Sequence, residues 1–174
     1  MIEYCNATIK DTADIAALHA KSWKEHYKGI FRDDYLENQI EEDRFVLWTD
    51  RLNNGKADQC IILAKENEKL IGFVCTYLNE DPAWGSLLDN LHIAYESKGK
   101  GIGRELMRHT ALWLAEKNAK PGIYLWVLQK NPGAISFYEK QGGLKKDLAV
   151  FKNPGGGVSN VYRYFWSDVN ILLK

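Results

Sequence analysis

Lys98-Gly99-Lys100-Gly101-Ile102-Gly103-Arg104 is the stretch on which the reading of this chain turns. It follows an apolar run, Leu87 to Ala94, that reads as a strand. It opens the segment Gly101 to Asn118, where Ile102, Leu106, Thr110 and Trp113 recur at helical spacing with Met107 and Leu114 beside them. Strand, glycine turn and helix in that order suit an anion. Glycines let the backbone approach a ligand without Cβ clashes, and the free N–H groups of a helix start, aided by the dipole, face a phosphate. Lys98, Lys100 and Arg104 add positive charge. Neither nucleotide fingerprint fits: the glycine spacing is G-x-G-x-G, the loop lies mid-chain, and neither Gly99-Lys100 nor Gly55-Lys56 is followed by Ser or Thr. A turn that merely starts a helix would give the same string, so the ligand has to be argued from the surroundings.

Working outward, Glu3 to Lys10 reads as a first strand. Asp11 or Thr12 caps a helix bearing Ile15, Leu18, His19 and Ser22, and a second helical stretch after Asp33-Asp34 carries Tyr35, Leu36, Ile40, Phe45 and Leu47. Beyond Asn53-Asn54-Gly55 the period changes. Cys60 to Ala64 and Leu70 to Tyr77, separated by Lys65 to Lys69, predict a β-hairpin. Past the long helix, ended by Pro121-Gly122, come a strand at Ile123 to Leu128 and a short helix at Asn131 to Gln141. Two strands, Lys145 to Lys152 and Asn160 to Trp166, then flank the turn Asn153-Pro154-Gly155-Gly156-Gly157. No repeat, linker or low-complexity tract interrupts the 174 residues. The order predicts one α/β domain over 1–174 with a mixed sheet.

Composition narrows the function. A chain this long buries about 70% of its unfolded surface, and 45% hydrophobic residues supply the core. Lys plus Arg and Asp plus Glu both number 23, so there is no general field for nucleic acid or an anionic membrane, and Lys145-Lys146 is too short a run to supply one. Cys5, Cys60 and Cys75 form neither a disulfide framework nor a zinc pattern, and His19, His26, His92 and His109 form no ligand cluster, so no metal is expected. With no leader-like start and no apolar run near the ~20 residues of a membrane helix, the expectation is a soluble, cytoplasmic protein.

A second block decides the ligand: Asn131-Pro132-Gly133-Ala134-Ile135-Ser136-Phe137-Tyr138-Glu139-Lys140-Gln141-Gly142. Together with Lys98-Gly99-Lys100-Gly101-Ile102-Gly103, it resembles the GNAT (GCN5-related) N-acetyltransferases. Their pyrophosphate loop reads Arg/Gln-x-x-Gly-x-Gly/Ala, and a later helix reads N-x-x-A-x-x-F-Y-x-x-x-G. Lys98 stands for the usual Arg or Gln, and Gly143 where Phe commonly follows. The blocks span residues 87 to 143, and the element order extends the likeness over most of the chain. The resemblance implies a mostly antiparallel mixed sheet flanked by helices, with splayed central strands, and transfer of an acetyl group from acetyl-CoA to an amine. It implies a cofactor site of Leu91, His92, Ile93, Lys98, Gly99, Lys100, Gly101, Ile102, Gly103, Arg104, Asn131 and Tyr138. A homodimer through the last two strands is also implied.

The chemistry needs three services. An alkyl ammonium, of pKa about 10.4, must lose a proton before it attacks. The oxyanion formed from the thioester needs a preorganised donor, and the departing thiolate needs a proton. Backbone groups of Leu91 to Ile93 on the splayed strand would serve the acetyl oxygen. Tyr138 matches the family tyrosine near the sulfur and is the candidate acid, although a core aromatic would show the same periodicity. Asp89 shares parity with Leu91 and Ile93 and is the candidate base; a strand-end aspartate bound to a loop amide reads equally well. His92 has a suitable intrinsic pKa, but the opposite parity sends it into the packing.

For the acceptor, the resemblance points to Trp23, His26, Tyr27, Phe31, Tyr35 and Trp84. Trp23 and Tyr27 share a helix face near Asp33, Asp34, Glu37 and Glu41, where stacked rings could hold a cationic amine. The same residues also read as plain helix-on-sheet core. Trp23, Tyr27 and Trp84 are the substrate-binding candidates, with a small-molecule primary amine expected. The alternatives are a protein or peptide acceptor, an acyl-CoA sensor without turnover, and a non-CoA phosphate module.

Overall fold

The computed structural model describes residues 1–120 and 122–174. Strand β1 (Ile2–Asn6) leads into helices α1 (Thr12–His26), α2 (Asp33–Asn38) and α3 (Ile40–Asn53). The strands β2 (Gln59–Glu66), β3 (Lys69–Asp81) and β4 (Gly85–Ile93) follow, then α4 (Ile102–Glu116), β5 (Ile123–Leu128), α5 (Pro132–Lys140), β6 (Leu144–Lys152) and β7 (Val158–Trp166). One seven-stranded sheet takes the order β1-β2-β3-β4-β5-β7-β6. Every pairing is antiparallel except β4 with β5. The expected mixed, mostly antiparallel sheet flanked by helices is the one observed.

Packing follows the periods of the sequence. On one face Ile102, Leu106, Met107 and Leu114 of α4 lie over Val74, Leu88, Ile123 and Leu125. On the other, Ile15 and Ala16 of α1 and Trp48 of α3 lie over Leu63, Phe73 and Cys75. The β2–β3 turn places Asn67 and Glu68 at φ 50 and 65, the left-handed geometry that fits the twist of a tight hairpin.

Several elements depart from expectation. The first strand stops at Asn6, because Ile9–Asp11 coil into a 3-10 turn. The Asp11 carboxylate closes that turn, accepting from the Thr8 N–H at 2.8 Å, the Thr8 hydroxyl at 2.9 Å and Lys65 Nζ at 2.6 Å. The second helical stretch is two helices. α2 ends at Asn38 and α3 restarts in a new phase, so its inward residues are Ile40, Arg44 and Trp48, while Phe45 is 44% exposed. A further 3-10 turn, Val169–Leu173, seats Leu172 against the α4 core. Pro121, expected with Gly122 to end the long helix, lies outside the described residues.

Candidate active site

β4 and β5 pair through only Ser86↔Ile123 and Leu87↔Tyr124 and then diverge, leaving the backbone from Asp89 to Ile93 without a strand beside it on that side. A cleft of about 990 Å³ opens at this split. It runs from the start of α4, past β4 and α5, to the loop after β6.

At the α4 end, Gly99 and Gly101 both hold φ +79, and Gly101 is the N-cap residue. The first N–H groups of α4 therefore point into the cleft from a backbone that a side chain would strain. Gly103 is held close for another reason: a Cβ there would lie 3.1 Å from the Phe137 ring. The flanking cations divide. Lys98 lines the cleft and donates to His26 Nε2 at 2.5 Å, while His26 Nδ1 donates to the Ser22 carbonyl at 2.6 Å. Arg104 lines it too, with its guanidinium bonded to the Lys174 carbonyl at 2.6 Å. Lys100 turns away to Glu66 at 3.8 Å and is not among the lining residues.

On β4 the parity expected for Asp89 fails. Cys75 pairs with Asn90 and Thr76 with Leu88, so Asp89 is the extra residue of a bulge. Leu91 and Ile93 pack toward α4, whereas Asp89 reaches Arg51 of α3 on the other face. Its Oδ2 accepts from Arg51 Nη1 at 2.7 Å and from the Asn90 amide. Oδ1 has no side-chain partner among the described residues. His92 also lies on the α1 side, its Nδ1 2.9 Å from Ser22 Oγ and its ring 4.4 Å from that of His19. Burial, with His26, Arg44 and Lys98 nearby, pushes His92 down to about 3, so the ring is neutral in ordinary buffers.

Across the split, α5 is capped by Asn131, whose Oδ1 accepts from the Ala134 N–H at 3.1 Å. That cap, with proline at the first helical position, sets the helix. It presents Tyr138 to the cleft. Burial raises the Tyr138 phenol far above its ordinary value, helped by the neighbouring Tyr27, itself pushed up to about 12 by burial.

The candidate acceptor residues separate. Trp23 and Tyr27 line the cleft, with ring centroids 5.3 Å apart and Phe31 completing the group. The Arg44 guanidinium already covers Trp23 at 4.5 Å, so the protein's own cation holds the position expected for an amine. Trp84 is outside the lining, packed on Phe165 at 5.1 Å and under Arg163 at 4.3 Å. Sequence reasoning did not single out Trp126, Phe151, Asn153 and Pro154, which all line the cleft. The available signal was alternation: Trp126 has the parity opposite to Ile123, Leu125 and Val127, which fill the α4 core.

The sequence model of the Acetyltransferase (GNAT) family matches residues 19–143 of the chain. The chain belongs to that family. Among GNAT relatives, the uncharacterized N-acetyltransferase YuaI of Bacillus subtilis (strain 168) is 26% identical over 141 residues, covering 80% of this chain and 78% of that protein. The uncharacterized N-acetyltransferase MJ1207 of Methanocaldococcus jannaschii is 26% identical over 151 residues, covering 82% of this chain and 61% of that protein. Among solved structures, the PaiA N-acetyltransferase of Thermoplasma acidophilum in complex with coenzyme A superposes with a TM-score of 0.69 at 23% identity, over 94% of this chain and 98% of that one. A GCN5-related N-acetyltransferase of Rhodopseudomonas palustris gives a TM-score of 0.74 at 16% identity, over 95% and 94% of the two chains. At such identities the superpositions show the GNAT fold alone. Among the described residues there is no cluster of metal-ligating side chains, and no helix is long and apolar enough to cross a membrane.

Proposed function

We propose that residues 1–174 form one acetyltransferase domain that moves the acetyl group of acetyl-CoA to the primary amine of a small molecule by direct attack. The observation that carries this reading is the split beyond Leu87↔Tyr124, which joins the N–H groups of α4 to the Tyr138 hydroxyl through one cleft. The diphosphate of the cosubstrate would lie on Gly99 to Gly103, with Lys98 and Arg104 beside it. The pantetheine arm and thioester oxygen would take the backbone groups of Leu91 to Ile93 that face away from β3.

The amine nitrogen forms a bond to the carbonyl carbon, and the C–S bond breaks. The Oδ1 of Asp89 takes the amine proton, directly or through water, and Tyr138 gives its hydroxyl proton to the departing thiolate. Three free cysteines support a reducing, cytoplasmic setting. The exposed Leu144, Leu148 and Val150 on β6 support a homodimer.

Thiol release from acetyl-CoA across a panel of polyamines, amino acids, aminoglycosides and short peptides tests the proposal. Amine-dependent release is expected. Tight CoA binding without release from any amine would favour a CoA-sensing protein instead.

A further inference from the structure

We propose that the acceptor is a monoamine with a ring-sized apolar body, seated against the Trp126–Phe151 pair with its nitrogen at Asp89. This rests on the reading that the chain acetylates a small amine.

The geometry starts at the last β4–β5 pair. Two residues on from Leu87 and from Tyr124 come Asp89 and Trp126, one on each side of the opening split and both lining the cleft. Both lie on the sheet face opposite α4, where α1 and α3 lie over β2 and β3 and Arg51 of α3 reaches Asp89. Trp126 is fixed in place by its neighbours, with Arg163 over its ring. The Arg163 guanidinium lies 4.5 Å from its centroid and is itself tied to Asp147 at 3.2 Å, and the Phe151 ring stands 5.0 Å away, tilted by 55°.

Phe151 is 42% exposed despite this neighbour, an aromatic corner left open inside a cleft. The loop beyond it is seated against α2, since a Cβ on Gly155 would fall 2.3 Å from Tyr35. Leu128 packs on the Phe31 group, continuing the apolar wall toward Tyr27 and Tyr138.

Charge selects among amines. Asp89, whose Oδ2 is shared with Arg51 and whose Oδ1 is not, is the only carboxylate among the described lining residues, against Lys98, Arg104 and Lys152. A polyamine or aminoglycoside would bring further ammonium groups toward Lys98, Arg104 and Lys152 with no second carboxylate among the described lining residues to meet them. A monoamine places its one charge at Asp89.

The test is amine-dependent thiol release at saturating acetyl-CoA, comparing phenethylamine and tryptamine with putrescine, spermidine and a short peptide. The aryl amines are expected to show kcat/KM roughly 10- to 100-fold higher. Phe151→Ala should lower their kcat/KM about tenfold, chiefly through KM, with CoA affinity by titration calorimetry unchanged. Trp126→Phe should keep most of the activity that Trp126→Ala loses. Faster turnover of putrescine, spermidine or the peptide would overturn the proposal while leaving the acetyltransferase reading intact. So would a Phe151→Ala enzyme with unaltered KM for phenethylamine. No release from any amine would remove both.

Discussion

Tyr138 sits on α5 with its ring centroid 5.3 Å from Phe137, 6.2 Å from Trp166 and 6.4 Å from Tyr164, so its position is fixed by packing and not by its hydroxyl. Removing only that oxygen therefore separates chemistry from structure. Tyr138→Phe is expected to lower kcat about 100-fold, within the range a lost general acid gives, with CoA affinity by calorimetry nearly unchanged. Full activity would assign the thiolate's proton to water. Asp89 allows a complementary test, because its Oδ2 is engaged by Arg51 and its Oδ1 is not. Asp89→Asn keeps the shape and removes the base. Turnover should then depend on amine already neutral in solution, moving the rate profile to higher pH; an unshifted profile would take Asp89 out of the reaction. The substitution also leaves the partly buried Arg51 without its counter-charge, at a cost of about 1–3 kcal/mol in unfolding free energy.

At the scale of elements, the glycine loop and α4 act as one unit. Gly101 holds φ +79 with open space where a Cβ would stand, so a substitution there meets strain and ligand but no neighbour. Asn and Asp tolerate left-handed backbone better than other side chains and have nearly the same shape. Gly101→Asn should weaken CoA binding modestly, and Gly101→Asp by about 100-fold more, through charge against the diphosphate. Equal losses from the two would show that shape alone matters and would remove the phosphate assignment.

This loop, α4, β5 and the β2–β3 hairpin were legible in the sequence because each is set by local signals: glycine, helical period, a compact apolar run and a turn. What was not legible depends on partners distant in the chain. Parity along β4 breaks at Asp89 only because β3 pairs around it, and α3 restarts its phase after Gln39 to bring Trp48 beneath the sheet. Trp126 lines the cleft because β4 and β5 part beyond Leu87↔Tyr124, a separation that no window around β5 contains.

Across the whole molecule, α1 is joined to the sheet through two histidines, His19 buried and His92 half-buried. His19 Nδ1 accepts from Trp48 Nε1 at 2.9 Å, and its ring lies 4.4 Å from that of His92, tilted by 34°, while His92 meets Ser22. Both rings are held neutral, His92 at about 3 and His19 well below its ordinary value, chiefly by burial. The charges facing the pair add to this: His26, Arg44 and Lys98 around His92, and Arg44 and Arg51 around His19. In the unfolded chain both titrate near 6.5. Below that pH the unfolded state binds more protons than the folded one, so stability is complete above about pH 6.5 and falls on acidification. The slope reaches up to about 1.4 kcal/mol per pH unit for each ring. The melting temperature should therefore be level near pH 7.5 and drop steeply from 6.5 to 4.5. His92→Phe, which keeps a ring between α1 and β4, should flatten that slope. A flat melting curve down to pH 5, or an unchanged slope in the variant, would refute the linkage. Because α1 carries Trp23 and Tyr27, loss of activity in this range should follow the melting transition, and not the pH dependence tested by Asp89→Asn.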